Sequence, residues 1–167
     1  MKAVVEWDGE AAFTATTESG HRIAMDGPPD HGGRNLGPRP TELVLAGMGG
    51  CTSFDVVHIL RKGRADVRAC SARIEAERAQ EDPKVFTRMH VHFVVSGREL
   101  KEAAVERAIR LSAEKYCSVS IMLGKTAEIS HSFEIVDVEY DGVIIKLFVT
   151  IEKYFRNNLS FTGSCCS

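Results

Sequence analysis

Two cysteines, Cys51 and Cys117, are the residues of this sequence best suited to chemistry. Cys51 lies in an apolar stretch over residues 37–60, GPRPTELVLAGMGGCTSFDVVHIL, and Cys117 lies in the second long helix-like stretch, SAEKYCSVSIML. Such a pair suits cysteine redox chemistry, in which one thiolate attacks a substrate and the other thiol removes the resulting sulfenic acid. The sequence therefore predicts a redox pair carried by two helices.

A structural role for the thiols is the competing interpretation. Free cysteine is among the residues most often buried, where it behaves as a small hydrophobic side chain. Cys70 shares the apolar side of a predicted strand with Ala72 and Ile74 and is assigned to the core. Cys165 and Cys166 are adjacent near the C-terminus, poorly placed to bridge each other, and are interpreted as structural or incidental. Spacing alone leaves a redox pair and inert core thiols both open.

The helix face around Cys51 predicts its surroundings. Residues three or four positions apart share a helix face, and the face of Cys51 holds Val44, Met48, Phe54, Asp55 and His58. These residues predict an apolar pocket with Asp55 and His58 at its polar rim. A protonated His58 would stabilise a thiolate, whereas the charge of Asp55 would oppose one.

Composition narrows the class of protein. The 167 residues fit one domain, and a net charge of −2, from 21 basic and 23 acidic residues, predicts no nucleic-acid partner. The N-terminus MKAVVEWDGE lacks the apolar segment of a secretory signal, and we expect no apolar stretch of the roughly 18 residues that span a bilayer. Five cysteines without regular spacing favour free or transiently oxidised thiols. The sequence thus predicts a cytoplasmic protein without a membrane partner.

The apolar pattern predicts an α+β fold with the element order βββ-α-ββ-α-α-β. Short strands occupy the first 25 residues, and a proline- and glycine-rich loop follows over residues 26–40. The later elements are a helix from Pro40 to Gly63, strands Val67–Arg78 and Val85–Val95, a helix started by a Ser96–Glu99 capping box, a helix Val119–Leu123 capped by Ser118, and a strand Ile129–Tyr140. The predicted element order assigns residues 1–140 to one domain and residues 141–167 to a tail that begins with a hairpin.

Three histidines raise the alternative of a metal site. His90 and His92 share one face of a predicted strand, and His131 lies on another strand. No Cys-x-x-Cys or His-Glu-x-x-His spacing accompanies them, so the pattern favours a solvated sheet face over metal ligands. We therefore predict no metal.

Four stretches of the sequence resemble the OsmC/Ohr family of osmotically inducible and organic-hydroperoxide-resistance proteins, in its YhfA-like branch. They are SGHRIAMDG (19–27), PTELVLAGMGGCTSFDVVHILRKGRADV (40–67), VHFVVSGRELKEAAVERAI (91–109) and LSAEKYCSVSIMLGKTAEISHSFEIV (111–136). The resemblance implies an OsmC-like fold, with antiparallel sheets wrapping two central helices in an intertwined homodimer. It also implies that Cys51 is the reactive cysteine and Cys117 its partner, and that lipoyl-type dithiols regenerate the pair.

Two positions depart from the family pattern. Thr41 takes the slot after the motif proline where peroxidases of the family carry a glutamate, and the glutamate here is Glu42. Nine positions separate Glu42 from Cys51, about 900° of helix rotation, so Glu42 is expected on the opposite side of its own helix. Ala11 stands near the slot of the family arginine, which leaves Arg39, among other arginines, as a substitute.

We predict a homodimeric, cysteine-based organic hydroperoxide reductase that acts in oxidative stress defence on small hydrophobic hydroperoxides. Cys51 and Cys117 are its predicted catalytic residues, with Glu42, Asp55, His58 and Arg39 in support. Such chemistry requires neither a metal nor an organic cofactor. The alternatives are a non-catalytic protein that binds a small ligand or senses redox state on the same scaffold, and a structural dimer with inert thiols.

Overall fold

The structure is a computed structural model that describes residues 1–138 and the backbone of residues 148–149 and 155–156. Its contacts divide the chain into two compact units, residues 1–47 and 48–167. The predicted hairpin at Tyr140–Val143 and the cysteines at 165 and 166 lie outside the described residues.

The first unit contains one antiparallel sheet of three strands, in the order β1-β2-β3. The strands are β1 (Ala3–Gly9), β2 (Ala12–Thr17) and β3 (Arg22–Met25), which confirms the short strands predicted for this region. Positive φ angles at Gly9 (97°) and Glu10 (48°) form the turn between β1 and β2. Glycine adopts this left-handed conformation without steric cost.

A buried carboxylate, Asp26, orders the loop that follows β3. It accepts hydrogen bonds from the backbone N–H groups of Gly27 (2.8 Å), Arg34 (2.8 Å) and Leu36 (3.1 Å). The bonds from Leu36 and Arg34 contribute most to lowering the pKa of Asp26. The Asp26 side chain thus orders the loop together with a 3₁₀ turn at Pro29–His31 and backbone hydrogen bonds such as that from Asp26 to the Pro38 carbonyl.

Helix α1 runs from Pro40 to Lys62, as predicted to within one residue. Glu42 stabilises its start, because the Glu42 carboxylate accepts the backbone N–H of Arg39 at 2.9 Å. One stripe of the helix, at every fourth position, is buried: Met48, Thr52, Val56 and Leu60. Gly49 also packs closely, since a Cβ added there would lie 3.1 Å from Cδ1 of Ile74.

The expectation that no stretch reaches the length of a membrane span is wrong. α1 is long and apolar enough to cross a bilayer by length and composition, although core helices of soluble proteins meet the same criterion. Only 22% of its 18-residue apolar window is buried within the chain. The described part of the chain thus leaves much of an apolar helix uncovered.

The second unit is built on a mixed sheet. Its long strands are β4 (Asp66–Arg78), β5 (Phe86–Arg98) and β6 (Glu128–Asp137), and the short strands β7 (Phe148–Val149) and β8 (Phe155–Arg156) pair with β6. β4 and β5 are antiparallel, but β5 and β6 are parallel, whereas antiparallel sheets were expected. Parallel neighbours need a long crossover, and the helical segment between β5 and β6 supplies it.

This crossover contains α2 (Glu102–Leu111), a π-helical turn (Ser112–Tyr116) and α3 (Ser118–Leu123). The predicted capping box is wrong, because Ser96 and Gly97 remain in β5 and pair with both neighbouring strands. α2 instead begins after Lys101, without a side-chain cap. The predicted cap at Ser118 is also wrong, since Cys117 occupies that position.

The two faces of β5 differ in polarity. Its buried face carries Met89, Val91, Phe93 and Val95. On the other face His90 and His92 hydrogen-bond to serine hydroxyls of β6. His131 pairs in register with Val91, so it lies on the buried face and stacks on the Phe93 ring at 6.4 Å between centroids. These three histidines therefore do not converge on one metal site.

The buried imidazole of His131 makes a testable contribution to stability. Burial, with a smaller contribution from the charge of His90, lowers the pKa of His131 to about 4 from 6.5. The unfolded chain therefore binds a proton here below about pH 6.5, while the folded chain resists protonation down to about pH 4. Stability from this group is present above pH 6.5 and is lost as the pH falls toward 4.

His131→Leu should remove this loss. Between about pH 7 and pH 4.5, the wild type should lose about 2.5 kcal/mol more unfolding free energy than the variant. Urea unfolding at the two pH values measures the difference. If the unfolding free energies of wild type and variant change with pH by the same amount, His131 is not held neutral in the fold.

Candidate functional site

The structure brings together the sulfur atoms of Cys51 and Cys117. These two atoms and a carboxylate oxygen of Asp55 all lie within 4.8 Å of one another. Cys51 is half-buried, whereas Cys117 is fully buried. The buried stripe of α1 passes through Thr52, so Cys51 lies at the margin of that stripe and keeps contact with solvent. One thiol of the pair is therefore accessible and the other is enclosed.

Cys117 is positioned by the turn that ends at it. Its backbone N–H donates to the Ser112 carbonyl at 2.9 Å and closes the π-helical turn. As the N-cap of α3, it accepts hydrogen bonds at sulfur from the Ser120 backbone N–H (3.4 Å) and hydroxyl (3.3 Å). A sulfur that accepts two hydrogen bonds has a fixed direction, and this one is held beside Cys51.

A buried hydroxyl network connects α1 to the same turn. The Ser112 hydroxyl donates to the Asp55 carboxylate at 3.0 Å and lies 2.9 Å from the Thr52 hydroxyl. Serine has one hydroxyl proton, and Ser112 donates it in the hydrogen bond to Asp55. In the bond between the two hydroxyls, Thr52 is therefore the donor and Ser112 the acceptor. The network fixes Asp55 and holds together the two segments that carry the sulfur atoms.

The environment of Cys117 disfavours its ionisation. Burial raises the pKa of the Cys117 thiol above its usual value, and the two hydrogen bonds from Ser120 partly offset this effect. A hydrogen bond with Cys51 and the negative charge of a Cys51 thiolate raise it further. Cys117 is therefore held as a neutral thiol.

His58, predicted at the polar rim of the site, does not belong to this cluster. His58 is exposed, stacks on Phe54 at 5.9 Å between ring centroids, and is not a member of the cluster within 4.8 Å. Met48 is fully buried while Val44 and Phe54 are exposed, so the expected single apolar lining is not formed within the described chain. Met48, Val44 and Phe54 share one broad face of the helix, but that face is wide enough for one of them to be buried while the other two are exposed.

Glu42 and Arg39 belong to the first unit, where they form the start of α1. The hydrogen bond between the Glu42 carboxylate and the Arg39 backbone gives Glu42 a structural role in capping. Their predicted support of the thiols stays a prediction.

A cavity of about 560 Å³ adjoins the cluster through Asp55. Its walls combine apolar side chains with two cations and an aromatic ring. They include Ile59, Leu60, Ala104, Leu111, Lys62, Arg107, Tyr116 and His58. The second half of α1 forms this cavity together with α2 and the π-helical turn, and of the residues predicted to line a pocket beside Cys51 only Asp55 and His58 belong to it.

The sequence interpretation did not identify Ser112 and Thr52 as site residues. Thr52 is adjacent to Cys51, and Ser112 lies five positions before Cys117. Hydroxyl residues close to a predicted redox cysteine are a signal, but only the packing of α1 against the turn identifies their partners.

Ser112→Ala tests whether this network holds the two segments together. The variant should lose about 1–3 kcal/mol of unfolding free energy, because it leaves the Thr52 hydroxyl buried without its acceptor. Thr52→Val is the matched control, and the double variant should lose less than the sum of the single losses, since both remove the same bond. Urea unfolding measures all three, and strictly additive losses would show that the two hydroxyls do not interact.

Known proteins resemble this chain over most of its length. A family model described as OsmC-like protein matches residues 31–132. Protein YhfA of Escherichia coli K12 is 48% identical over 136 residues, which cover 81% of this chain and 98% of YhfA.

Solved structures extend the comparison to the fold. A hypothetical protein from Aquifex aeolicus VF5 superposes with a TM-score of 0.73 at 30% identity, covering 83% of this chain and 97% of that one. An organic hydroperoxide resistance protein OsmC from Legionella pneumophila, also described as a predicted redox protein, superposes with a TM-score of 0.62 at 18% identity. The match covers 80% of this chain and 96% of the Legionella chain. At that identity the second match establishes the shared fold alone.

Proposed function

The chain belongs to the OsmC-like family, and from this membership and its paired thiols we propose that it is a cysteine-based peroxidase for organic hydroperoxides. Membership confirms the family resemblance and the OsmC-like α+β fold, and it supports a stress-related redox role. The observation that carries the proposal is the approach, to within 4.8 Å, of the sulfur atoms of a half-buried and a fully buried cysteine.

The accessible thiol, Cys51, takes the role of nucleophile. Its thiolate attacks the terminal peroxide oxygen, the O–O bond breaks, and the alcohol leaves with a proton, so that Cys51 becomes a sulfenic acid. Asp55 is placed to receive the thiol proton, because its carboxylate lies in the same cluster and is held by Ser112. Proton removal by a positioned carboxylate is general base catalysis.

The enclosed thiol, Cys117, takes the role of resolving cysteine. It attacks the Cys51 sulfenic sulfur, releases water and forms a disulfide. A disulfide requires about 2.05 Å between sulfur atoms, so the pair must close by less than about 3 Å. A lipoyl-type dithiol then reduces the disulfide by thiol–disulfide exchange and is itself oxidised to a cyclic disulfide.

The cavity beside Asp55 supplies the substrate route in this proposal. Its apolar walls suit the organic part of a small hydrophobic hydroperoxide, and Asp55 belongs to both the cavity and the thiol cluster. Peroxide reduction by thiols needs a reducing compartment, which supports a cytoplasmic location. The domain at residues 1–140 would carry this activity, with residues 141–167 as an appended tail.

Substitution of each thiol separates the proposed activity from its alternatives. Cys51→Ser should abolish turnover of cumene hydroperoxide with dihydrolipoamide, and Cys117→Ser should allow one oxidation per chain with little turnover. Cys70→Ser is the control, because Cys70 hydrogen-bonds to Ser53 and is not a member of the cluster. A coupled assay of dihydrolipoamide oxidation measures the rates.

The alternatives predict different results in the same assay. One stoichiometric oxidation of the wild type without turnover would indicate a redox sensor or binding protein. Unreactive thiols would leave only a structural role. Full activity of Cys51→Ser would contradict the assigned nucleophile.

We propose a homodimer from the uncovered surface of α1. Phe54 is 69% exposed on this helix. At Gly50, an added Cβ would have no atom of the described chain within 4 Å apart from its chain neighbours and the nearby backbone of its own helix. An apolar helix with a long uncovered face needs a partner surface, and a second copy supplies one.

Phe54→Glu should dissociate this dimer. The side chain is exposed in the single chain, so the monomer tolerates the charge, whereas burial of an unpaired carboxylate between subunits is costly. Phe54→Leu is the control and should remain dimeric. Sedimentation equilibrium should show dimer association weakened by less than about 10-fold for the leucine variant and by more than about 100-fold for the glutamate variant. A monomeric wild type, or unchanged association of the glutamate variant, would contradict the proposal.

A further inference from the structure

We propose that the reduced site binds one zinc-class divalent cation through the sulfur atoms of Cys51 and Cys117 and the carboxylate of Asp55. Metal binding goes beyond the peroxidase function and does not depend on it. The proposal rests on three donors of suitable type that lie within 4.8 Å of one another. Among the described residues, no other group of three or more histidine, cysteine, aspartate or glutamate side chains meets this criterion.

The distances fit a zinc site after a small contraction. Zinc binds thiolate at about 2.3 Å and carboxylate oxygen at about 2.0–2.2 Å in tetrahedral geometry. Ligand atoms of one zinc ion therefore lie about 3.5–3.8 Å apart, so each pair here needs to close by at most about 1.3 Å. Three protein ligands leave the fourth position for water, as in sites that exchange their ligands.

The residues around the donors already orient them. Ser112 holds one oxygen of Asp55, and a carboxylate has a second oxygen that can bind a metal. Ser120 donates two hydrogen bonds to the Cys117 sulfur. Such outer contacts fix the direction of metal ligands and raise affinity.

The donor set selects the class of cation. Two sulfurs favour zinc and softer ions over magnesium or calcium, which prefer oxygen ligands. Binding releases two thiol protons, and two thiolates with one carboxylate give the zinc complex a net charge of −1. Affinity should therefore rise with pH.

Metal binding and disulfide formation exclude each other, because the same sulfur atoms serve both. When the bound thiolates are oxidised, they give up two electrons and form the S–S bond. A hydroperoxide that accepts these electrons with two protons becomes an alcohol and water, and the cation is released. This release by hydroperoxide rests on the proposed function, whereas release by a general thiol oxidant does not.

Zinc competition with a chromophoric chelator tests the site in the full chain. All proteins carry Cys165→Ser and Cys166→Ser, because adjacent thiols outside the described residues could bind zinc independently. The reduced parent should bind one Zn²⁺ per chain, and the parent oxidised by diamide should bind none. Cadmium, as a probe, should give a thiolate charge-transfer band only in the reduced protein.

Single substitutions then identify the ligands. Cys51→Ser and Cys117→Ser should each weaken zinc binding by more than about 100-fold, and Asp55→Asn by about 10- to 100-fold. Cys70→Ser should retain the parent affinity. Cys51 and Asp55 are half-buried, so the first and third variants are expected to fold even if Cys117→Ser does not, and circular dichroism checks each one.

Three results would overturn the site: no zinc bound by the reduced parent, parent affinity in Cys51→Ser, or parent affinity in Asp55→Asn. Metal-free peroxidase assays keep the two proposals distinct. Turnover without zinc binding would overturn the metal site alone, and zinc binding without turnover would overturn the peroxidase function alone.

Discussion

The hydrogen-bonded contact of α1 with the π-helical turn is the constraint on which the site depends. Thr52 and Asp55 on the helix share the Ser112 hydroxyl of the turn, and Cys117 follows that turn directly. Because the contact lies within one turn of Cys51, it sets the distance between the two sulfur atoms. The same contact leaves Cys51 at the edge of the buried stripe. Accessibility of one thiol and enclosure of the other thus have a single structural origin.

This arrangement is compatible with both proposed chemistries, disulfide formation and metal binding. The sulfur atoms are close enough to join after a small movement, yet each keeps its own environment while reduced. The Asp55 carboxylate, which lies within 4.8 Å of both sulfur atoms, is the base in the proposed peroxidase reaction and a ligand in the proposed metal site. Its orientation comes from Ser112 in both cases, so the network that stabilises the fold also positions the reactive groups.

Strong local patterns made much of the fold predictable from the sequence. The proline start of α1, the alternation along β5 and the two thiols in helix-like stretches each depend on neighbouring residues. The failures depend on distant ones. Pairing of β5 with strands on both sides overrides the capping signal at Ser96 and Glu99, and the Thr52–Ser112 bond joins residues 60 positions apart. The capping role of Cys117 likewise depends on the π-helical turn, which has no clear sequence signal.

The central claim is that the two sulfur atoms form one redox unit, and peptide mapping after oxidation tests it most directly. Reduced protein is treated with one equivalent of cumene hydroperoxide, blocked with a thiol reagent, digested without reductant and analysed by mass spectrometry, with cumyl alcohol measured in parallel. We expect a peptide pair joined through Cys51 and Cys117 and one alcohol released per disulfide. Two results would contradict the account. In one, Cys51 is still blocked as a free thiol after all the hydroperoxide is consumed; in the other, Cys51 is joined to a different cysteine.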